Sequence, residues 1–365
     1  MVSPLRAIVS KAKKALVDAP EPKPRFAPLL PRDEPPVLGH RPGIDRTIYA
    51  PDAASEMEPP FGSERAADYT VMAEGQPRKC FFIIGHPRSG THWLGHVVNQ
   101  HPAITSFGEY RFEALRTGFD DLVRHDWHAC HVEPMRSAAE RAFRDSIRGI
   151  LASSCVRKPE AVWLGDRTPR SLQVYLDWAP TFMIIRDPRD ILVSWAHTEL
   201  TNAGPDYTTG DFAKDLEPLR QEFLKDKDFF KNNPHLLLGH ERWAILLASK
   251  WRKHTHDDLT ALKGVLAGTV RSRVYAVRYE ALHADVEGER AKMYRFLGVD
   301  PAQAGPLSEQ TRSKPGFSQE NPYDIYRAGK VGEWRKYFTP DVKRWFKHAA
   351  GDALIEMGYE KDHSW

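Results

Sequence analysis

Residues 79–93 combine residue types and a spacing suited to binding an anion. An apolar run at residues 81–84 predicts a buried strand, and Gly85-His86-Pro87-Arg88-Ser89-Gly90 follows it directly, before a helix start. Backbone N–H groups in such a glycine turn and the positive end of the next helix dipole point at one position. Arg88, Ser89 and Thr91 add side-chain donors there. The segment therefore predicts a phosphate-binding loop.

The loop lacks the lysine of a nucleotide triphosphatase loop. The Gly85-to-Gly90 spacing fits G-x-x-x-x-G-K-[ST], but Thr91 stands where the lysine belongs, and the cation comes earlier, at Arg88. No convincing pair of magnesium ligands accompanies the loop, as ATP chemistry would require. The sequence thus predicts phosphate binding without ATP chemistry. A purely structural glycine turn is the alternative.

A second strand-to-helix junction lies at residues 181–197. Arg186 ends the apolar run, Pro188 suits the first helical turn, and Ser194 follows Arg186 by eight residues. Asp187 or Asp190 could satisfy N–H groups at the helix start. Arg186 and Ser194 are predicted to hold a second phosphate. The alternative is a salt bridge between Arg186 and Asp190, with Ser194 as a small packing residue.

The two junctions together resemble the sulfotransferase family, which uses 3′-phosphoadenosine 5′-phosphosulfate (PAPS) as sulfonyl donor. Residues 86–93 resemble the family's Tyr-Pro-Lys-Ser-Gly-Thr-Thr-Trp loop, and the spacing of Arg186 and Ser194 resembles its 3′-phosphate site. Residues 277–282 resemble its Tyr-Glu-Asp-Leu segment, followed by a helix ending near Gly298. Residues 327–334 resemble the Arg-Lys-Gly-x-x-Gly-Asp-Trp stretch that closes over the nucleotide. The four segments occur in the family's order.

The resemblance implies a set of donor-binding residues, although the chain departs from the family pattern at three of them. Arg88 replaces a lysine and keeps the charge, but it cannot readily give up a proton. His92 replaces a threonine, with a histidine merely packed on the helix face as the alternative, and Ala328 removes one cation from the closing stretch. The implied donor-binding residues are Arg88, Ser89, Gly90, Thr91, His92, Trp93, Arg186, Ser194, Tyr279 (near the adenine), Arg327, Ala328 and Gly329.

The resemblance also implies the catalytic residues. Residues 166–169 lack the histidine of the cytosolic members' Lys-Thr-His segment, whereas residues 101–109 resemble the His-Pro-x-x-x-x-x-Gly-Glu run of carbohydrate and tyrosylprotein sulfotransferases. Glu109 is therefore the expected base, with Arg88 and Arg167 on the sulfonyl oxygens. The alternatives are structural ion pairs. Glu109 would pair with Arg111 or Arg116, and Arg167 with Asp166 or Asp187.

The periodicity of the chain predicts an α/β fold with two parts. Strand candidates at residues 81–84, 162–164, 182–185 and 274–277 alternate with helical stretches, which indicates a parallel sheet with helices on both faces. The resemblance implies the P-loop NTPase-like sulfotransferase fold over residues 76–365. Residues 1–75 hold 12 of the 28 prolines and predict an extended arm with a short basic helix near its start.

Composition excludes several other classes. A net charge of +3 does not call for nucleic acid, and no apolar run predicts a membrane span or a secretory signal. The three cysteines, Cys80, Cys130 and Cys155, form no paired framework, so a reducing, cytoplasmic location is expected. Residues 125–131 hold three histidines and a cysteine, but no second ligand pair for zinc is evident. No Gly-x-Ser-x-Gly elbow occurs.

These patterns predict one function and leave two alternatives open. The expected activity is in-line transfer of a sulfonyl group from PAPS to a hydroxyl, with an amine as second choice, on a small metabolite, carbohydrate or lipid head group. A carboxylate base and no metal are expected. The alternatives are a P-loop kinase using ATP and a non-catalytic protein that binds adenosine bisphosphate. A homo-oligomer and contact of the N-terminal basic helix with a membrane surface also stay open.

Overall fold

The fold is known from a computed structural model that describes residues 69–125, 133–169, 179–202, 212–267, 273–307 and 327–365. Two predicted features fall outside these ranges. They are residues 1–68 of the expected N-terminal arm, with its basic helix, and residues 126–131 of the histidine-rich segment. Residues 70–73, at the end of the expected arm, form a strand.

A six-stranded sheet lies at the centre of the described residues. The four predicted strands are confirmed as β2, β4, β5 and β6, and two short strands were not predicted. The strands are β1 Thr70–Ala73, β2 Gln76–Gly85, β3 Ile104–Ser106, β4 Trp163–Arg167, β5 Thr181–Ile185 and β6 Val274–Arg278.

The strand order is β3-β4-β2-β5-β6, and all neighbours along this path run parallel. Strand β1 pairs antiparallel with the first residues of β2. Parallel pairing brings the carboxyl ends of the strands to one edge of the sheet, where such folds bind ligands. The register sets Gly85 beside Ile184, Ile83 beside Arg167, and Ile185 beside Arg278. The two predicted phosphate junctions therefore open on the same edge.

Helices lie on both faces of the sheet, as predicted. Several begin with an identifiable cap: Pro188 opens α4, as expected, and Thr339 caps α12 by accepting the N–H of Val342. The helices are α1 Thr91–Val98, α2 Glu113–His125, α3 Glu133–Ala152, α4 Pro188–Asn202, α5 Ala213–Lys225, α6 Phe229–Asn232, α7 Pro234–Leu237, α8 Glu241–Leu266, α9 Tyr279–Ala284, α10 Val286–Leu297, α11 Trp334–Tyr337 and α12 Pro340–Glu356.

Aromatic and aliphatic side chains fill the space between sheet and helices. Every residue of β5 is buried, and Phe81 of β2 packs edge-on against Phe182 of β5 at 5.9 Å. Helices α8 and α12 pack against each other and bury Trp251 against Phe346. Burial of large aromatic side chains dominates the stability of such cores. The sheet edge is thereby held rigidly enough to fix the loops that leave it.

None of the helices in the described ranges combines the length and the apolar character that crossing a bilayer demands.

Candidate active site

The phosphate loop, residues 85–90, joins β2 to α1 through an unusual backbone. Gly85, Arg88 and Gly90 all have positive φ, at 154°, 74° and 108°. A Cβ at Gly85 would lie 2.7 Å from the Ile184 carbonyl oxygen, so this position admits only glycine without movement of β5. The N–H of Ser89 donates to the His86 carbonyl at 3.0 Å and closes the turn.

Two features of the phosphate loop suit an anionic ligand. The Ser89 side chain is 1% exposed, and its hydroxyl has no hydrogen-bond partner within the described part of the chain. The N-cap residue of α1 is Gly90, which has no side chain to cap the helix. An unpaired buried donor is costly, and the start of a helix attracts negative charge, so both features fit an anion. The predicted donor residues Ser89, Gly90 and Thr91 therefore lie together.

Arg88 and Arg186 connect the two predicted phosphate junctions. The Nε of Arg88 donates to the Ser194 hydroxyl at 3.0 Å, and Nη1 of Arg186 donates to the Arg88 carbonyl at 3.1 Å. The expected alternative, an Arg186–Asp190 salt bridge with Ser194 as packing only, is thus not what these contacts show. Two guanidinium groups and two hydroxyl groups meet at one sheet edge, which suits an anionic ligand with more than one phosphate.

Tyr279 links the phosphate loop to the C-terminal segment, residues 327–334. A Cβ at Gly90 would lie 2.7 Å from the Tyr279 ring, so the ring rests directly on the loop. Its hydroxyl donates to the Gly329 carbonyl at 2.7 Å, and the Arg186 guanidinium lies 4.3 Å from the ring centre. Trp93 packs edge-on against Tyr279 at 5.2 Å. Tyr279 thus connects the phosphate loop, α1 and the C-terminal segment.

The C-terminal segment is held by polar contacts within the protein. The Asp190 carboxylate of α4 accepts the N–H groups of Gly332 at 2.7 Å and Trp334 at 2.8 Å. Arg186 Nη2 donates to the Lys330 carbonyl at 2.9 Å. Burial raises the pKa of Asp190 to about 6, although Arg186 and the two N–H groups lower it. The sequence suggested that Asp190 caps its own helix; its partners are instead more than a hundred residues away.

Arg327 forms a buried ion pair with Glu333 inside the C-terminal segment. Both Nη atoms donate to the Glu333 carboxylate, one of them at 3.0 Å, and the two side chains are only 4% and 6% exposed. The bidentate geometry is the strong form of this interaction. Arg327 therefore already has an anionic partner, whereas the sequence predicted it as a ligand of the donor.

The expected base, Glu109, contacts His92. The Nε2 of His92 at the start of α1 makes a short hydrogen bond to Oε1 of Glu109, which follows β3. This bond lowers the pKa of the Glu109 carboxyl, and the charges of Arg167 and Arg111 lower it further, against an opposing effect of partial burial. Arg116, one of the expected partners, pairs with Asp120 and Glu140 instead. Two residues predicted in separate roles are thus joined.

Asp166 and Arg167 position the Glu109 loop. Asp166 accepts the N–H of Tyr110 at 3.1 Å and the Thr168 hydroxyl at 2.7 Å, and Arg167 N–H donates to the Gly108 carbonyl at 3.2 Å. Burial raises the pKa of Asp166 to about 6, although both bonds lower it. Asp187, an alternative partner of Arg167, forms its ion pair with Arg189.

The His86 environment was not predicted from the sequence. Its ring lies 5.0 Å from the rings of Trp195 and His254, and its Nδ1 donates to the Pro87 carbonyl at 2.6 Å. Burial, together with the charge of His254, lowers the pKa of His86 to about 3, although the bond to the Pro87 carbonyl raises it. The phosphate loop thus contains a buried, neutral histidine. The only indication in the sequence was that His86 stands next to Pro87 in the loop.

Comparisons with known proteins agree with these motifs. A family model described as "Sulfotransferase family" matches residues 80–226, and one described as "Sulfotransferase domain" matches residues 179–358. The protein named "Nodulation protein NoeE" of Sinorhizobium fredii is 24% identical over an alignment of 303 residues that covers 77% of this chain and 66% of that protein. The chain thus spans just under two thirds of that relative's length.

Solved structures of sulfotransferases also match, with low similarity. Mouse sulfotransferase SULT7A1, complexed with PAP, is 17% identical, with a TM-score of 0.40 over 75% of this chain and 84% of that one. The sulfotransferase domain of the Synechococcus PCC 7002 olefin synthase is 18% identical, with a TM-score of 0.37 over 74% of this chain and 94% of that one. The two family models together run from residue 80 to residue 358, and the chain belongs to the sulfotransferase family.

Proposed function

We propose that this transferase moves a sulfonyl group from PAPS to a hydroxyl group of a small metabolite, carbohydrate or lipid head group. An amine is the second choice of acceptor. The observation that carries the proposal is the phosphate loop, where the buried Ser89 hydroxyl lacks a partner among the described residues, Gly90 begins α1, and Arg186 donates to the Arg88 carbonyl. Oxygens of a phosphosulfate would satisfy these donors.

The donor would lie along the sheet edge, with its 5′ and 3′ ends at the two junctions. The 5′-phosphosulfate would accept from the loop and from the first turn of α1, and the 3′-phosphate from Arg186 and Ser194. The adenine would pack near Tyr279, under the C-terminal segment. The proposed donor residues are Arg88, Ser89, Gly90, Thr91, His92, Trp93, Arg186, Ser194, Tyr279, Arg327, Ala328 and Gly329. Because Arg327 is paired with Glu333 in the interior, its proposed role is to position the C-terminal segment.

The chemistry requires positive charge on the sulfonyl and leaving phosphate oxygens, and a base for the acceptor proton. Arg88 and Arg167 supply the charge in this proposal, and the Glu109 carboxylate supplies the basic group. All three leave the sheet at its carboxyl edge, from β2, β4 and the loop after β3. This common edge supports an acceptor site beside the phosphosulfate.

A location in the cytoplasm belongs to the same proposal. Cys80 and Cys155 are both free and buried, which suits a reducing compartment.

The proposal is tested first by ligand-dependent thermal unfolding. We expect 3′,5′-adenosine bisphosphate (PAP) to raise the melting temperature, because a ligand at about a hundred times its Kd adds roughly 2.7 kcal/mol to stability. ATP with Mg²⁺ serves as the comparison. Stabilisation by ATP with Mg²⁺ alone would refute the proposal in favour of a kinase.

Turnover separates an enzyme from a binding protein. We expect the full chain to convert PAPS to PAP in the presence of hydroxyl compounds such as 4-nitrophenol, methyl glucoside and glycerol. Glu109→Ala should lose most of this turnover while keeping the stabilisation by PAP. If PAP binds but the wild type releases no more PAP than Glu109→Ala with any acceptor, the non-catalytic alternative is correct.

A further inference from the structure

His92 and Glu109 form a hydrogen-bonded pair at the place where the acceptor is proposed to bind. His92 is the second residue of α1, directly after the phosphate loop, and Glu109 follows β3 at the carboxyl edge of the sheet. Their side chains are 28% and 26% exposed, so the pair is partly accessible to solvent rather than enclosed in the core. A group held beside the sulfonyl site and reachable from solvent can meet an acceptor.

The bond between the two side chains fixes how the imidazole carries its proton. A carboxylate can only accept, so Nε2 of His92 donates to Oε1 of Glu109. In the neutral ring Nδ1 then holds the lone pair. Glu109 thus has one oxygen bonded to His92, and Nδ1 is the ring nitrogen that can accept a proton.

The charges around Glu109 disfavour it as the direct proton acceptor. The His92 bond lowers the pKa of its carboxyl, Arg167 of β4 and Arg111 lower it further, and only partial burial opposes them. The other carboxyl group close to Glu109 is that of Asp166, which accepts the N–H of Tyr110 in the same loop. A carboxylate stabilised in this way is a weak base, whereas an imidazole is the side chain most often used for proton transfer in catalysis.

We propose that His92 is the catalytic base that removes the acceptor proton, and that Glu109 is a positioning residue that orients the imidazole and stabilises its charged form. This inference rests on the proposed sulfotransferase function. It reassigns His92 from donor binding and moves Glu109 one step away from the acceptor. The arrangement uses a carboxylate behind a histidine, as in hydrolytic triads, without a protein nucleophile.

The step balances without any further reactant. Nδ1 of His92 takes the proton of the acceptor hydroxyl as the oxygen forms a bond to sulfur. The bond between sulfur and the bridging oxygen of PAPS breaks, and its electron pair leaves on the 5′-phosphate of PAP. The products are a sulfate ester, PAP and an imidazolium paired with Glu109. The imidazolium then returns its proton to solvent.

A first test reads the ring itself and needs no acceptor. In ¹⁵N-histidine-labelled protein, His92→Ala identifies the signals of His92. We expect the wild type to show a protonated Nε2 and an unprotonated Nδ1 above neutral pH, and Glu109→Gln to mix the two tautomers. A protonated Nδ1 in the wild type would overturn the proposal, because that ring could not accept a proton there.

A second test measures release of PAP from PAPS with 4-nitrophenol, methyl glucoside or glycerol as acceptor. We expect His92→Ala to lose about 100-fold or more in kcat, to keep stabilisation by PAP, and to regain turnover when imidazole is added. His96→Ala, one turn further along α1, is the matched control and should retain wild-type turnover. Glu109→Gln should lose less than His92→Ala.

The outcomes separate this inference from the function on which it rests. If His92→Ala stays within about threefold of the wild type while Glu109→Gln loses most turnover, Glu109 is the base and the inference is wrong, although the function stands. If the wild type neither binds PAP nor converts PAPS, the sulfotransferase function fails and the inference fails with it.

Discussion

The phosphate loop and the C-terminal segment are both glycine-containing stretches with cationic residues, but their polar groups are used differently. In the loop, the buried Ser89 hydroxyl lacks a partner among the described residues. In the C-terminal segment, Arg327 is paired with Glu333, and the N–H groups of Gly332 and Trp334 are bound by Asp190. In the proposed function, the loop is therefore the receptor for the donor phosphates. The C-terminal segment is the cover, which contacts within the protein hold in place.

This difference shows why residue type in a motif does not settle its role. A cation in a nucleotide motif can bind the ligand or hold the motif in place, and only its partners distinguish the two. Arg186 holds both regions in place, because it donates to the backbone of the loop and of the C-terminal segment, and in the proposed function it also binds the 3′-phosphate. Changes in the C-terminal segment should therefore affect folding first, and changes in the loop should affect binding first.

The largest expected effect comes from breaking the Arg327–Glu333 pair. Glu333→Gln leaves the Arg327 charge buried without its anion, which should reduce the free energy of unfolding by about 3 to 5 kcal/mol. Urea unfolding measures it. Asp341→Asn, which breaks the exposed pair with Arg344, is the control and should change stability by less than about 1 kcal/mol. An unchanged midpoint for Glu333→Gln would mean that the pair does not fasten the segment.

The sheet and its functional edge could be predicted from sequence because their signals are local. Apolar runs followed by Gly85 or by Arg186 and Pro188 identify strand ends and helix starts within a few residues. The three-residue strand β3 is too short to show a period, and β1 lies within a stretch expected to be an extended arm. Short edge elements depend on pairing with a neighbour, which composition does not reveal.

The contacts that distinguish the two regions could not be predicted, because they join distant parts of the chain. Asp190 looks like a helix-start residue, and nothing local indicates that Gly332 and Trp334 are its partners. His92 and Glu109 were both predicted as site residues, but their pairing depends on the position of β3 relative to α1. Such pairings follow from the fold rather than from residue spacing.

Asp190 should make the fastening of the C-terminal segment depend on pH. Its pKa is raised from 3.8 to about 6, so its contribution to stability is fully present below about 3.8 and is lost as pH rises through about 6. We expect the wild type to lose roughly 2 to 3 kcal/mol relative to Asp190→Asn between pH 4 and 7. Urea unfolding at each pH measures this difference. Parallel curves for the two proteins would show that Asp190 keeps the same charge throughout.

Gly90→Ala tests the contact that joins the two regions. The alanine backbone would have to keep a φ of 108°, and its Cβ would lie 2.7 Å from the Tyr279 ring. The hydroxyl of Tyr279 donates to the Gly329 carbonyl. We expect a loss of about 1 to 3 kcal/mol in stability and a weakened response to PAP, measured by thermal unfolding. Gly75→Ala, with a φ of 74° and open space around it, is the control for backbone strain alone. Equal behaviour of the two variants would mean that Tyr279 moves aside freely.

The smallest expected effect is that of Ser89→Ala, which distinguishes the phosphate loop from the C-terminal segment most directly. Ser89→Ala removes a hydroxyl without a partner in the described structure, so the free energy of unfolding should stay the same or rise slightly. The same change should weaken PAP binding by about 1.5 kcal/mol, or roughly tenfold, because a hydrogen bond to a charged group is lost. Calorimetric titration measures the affinity. Ser194→Ala is the matched variant, since its hydroxyl already accepts from Arg88 and its loss should also lower stability. If Ser89→Ala instead destabilises the protein and leaves PAP affinity intact, the loop is a structural turn rather than a receptor.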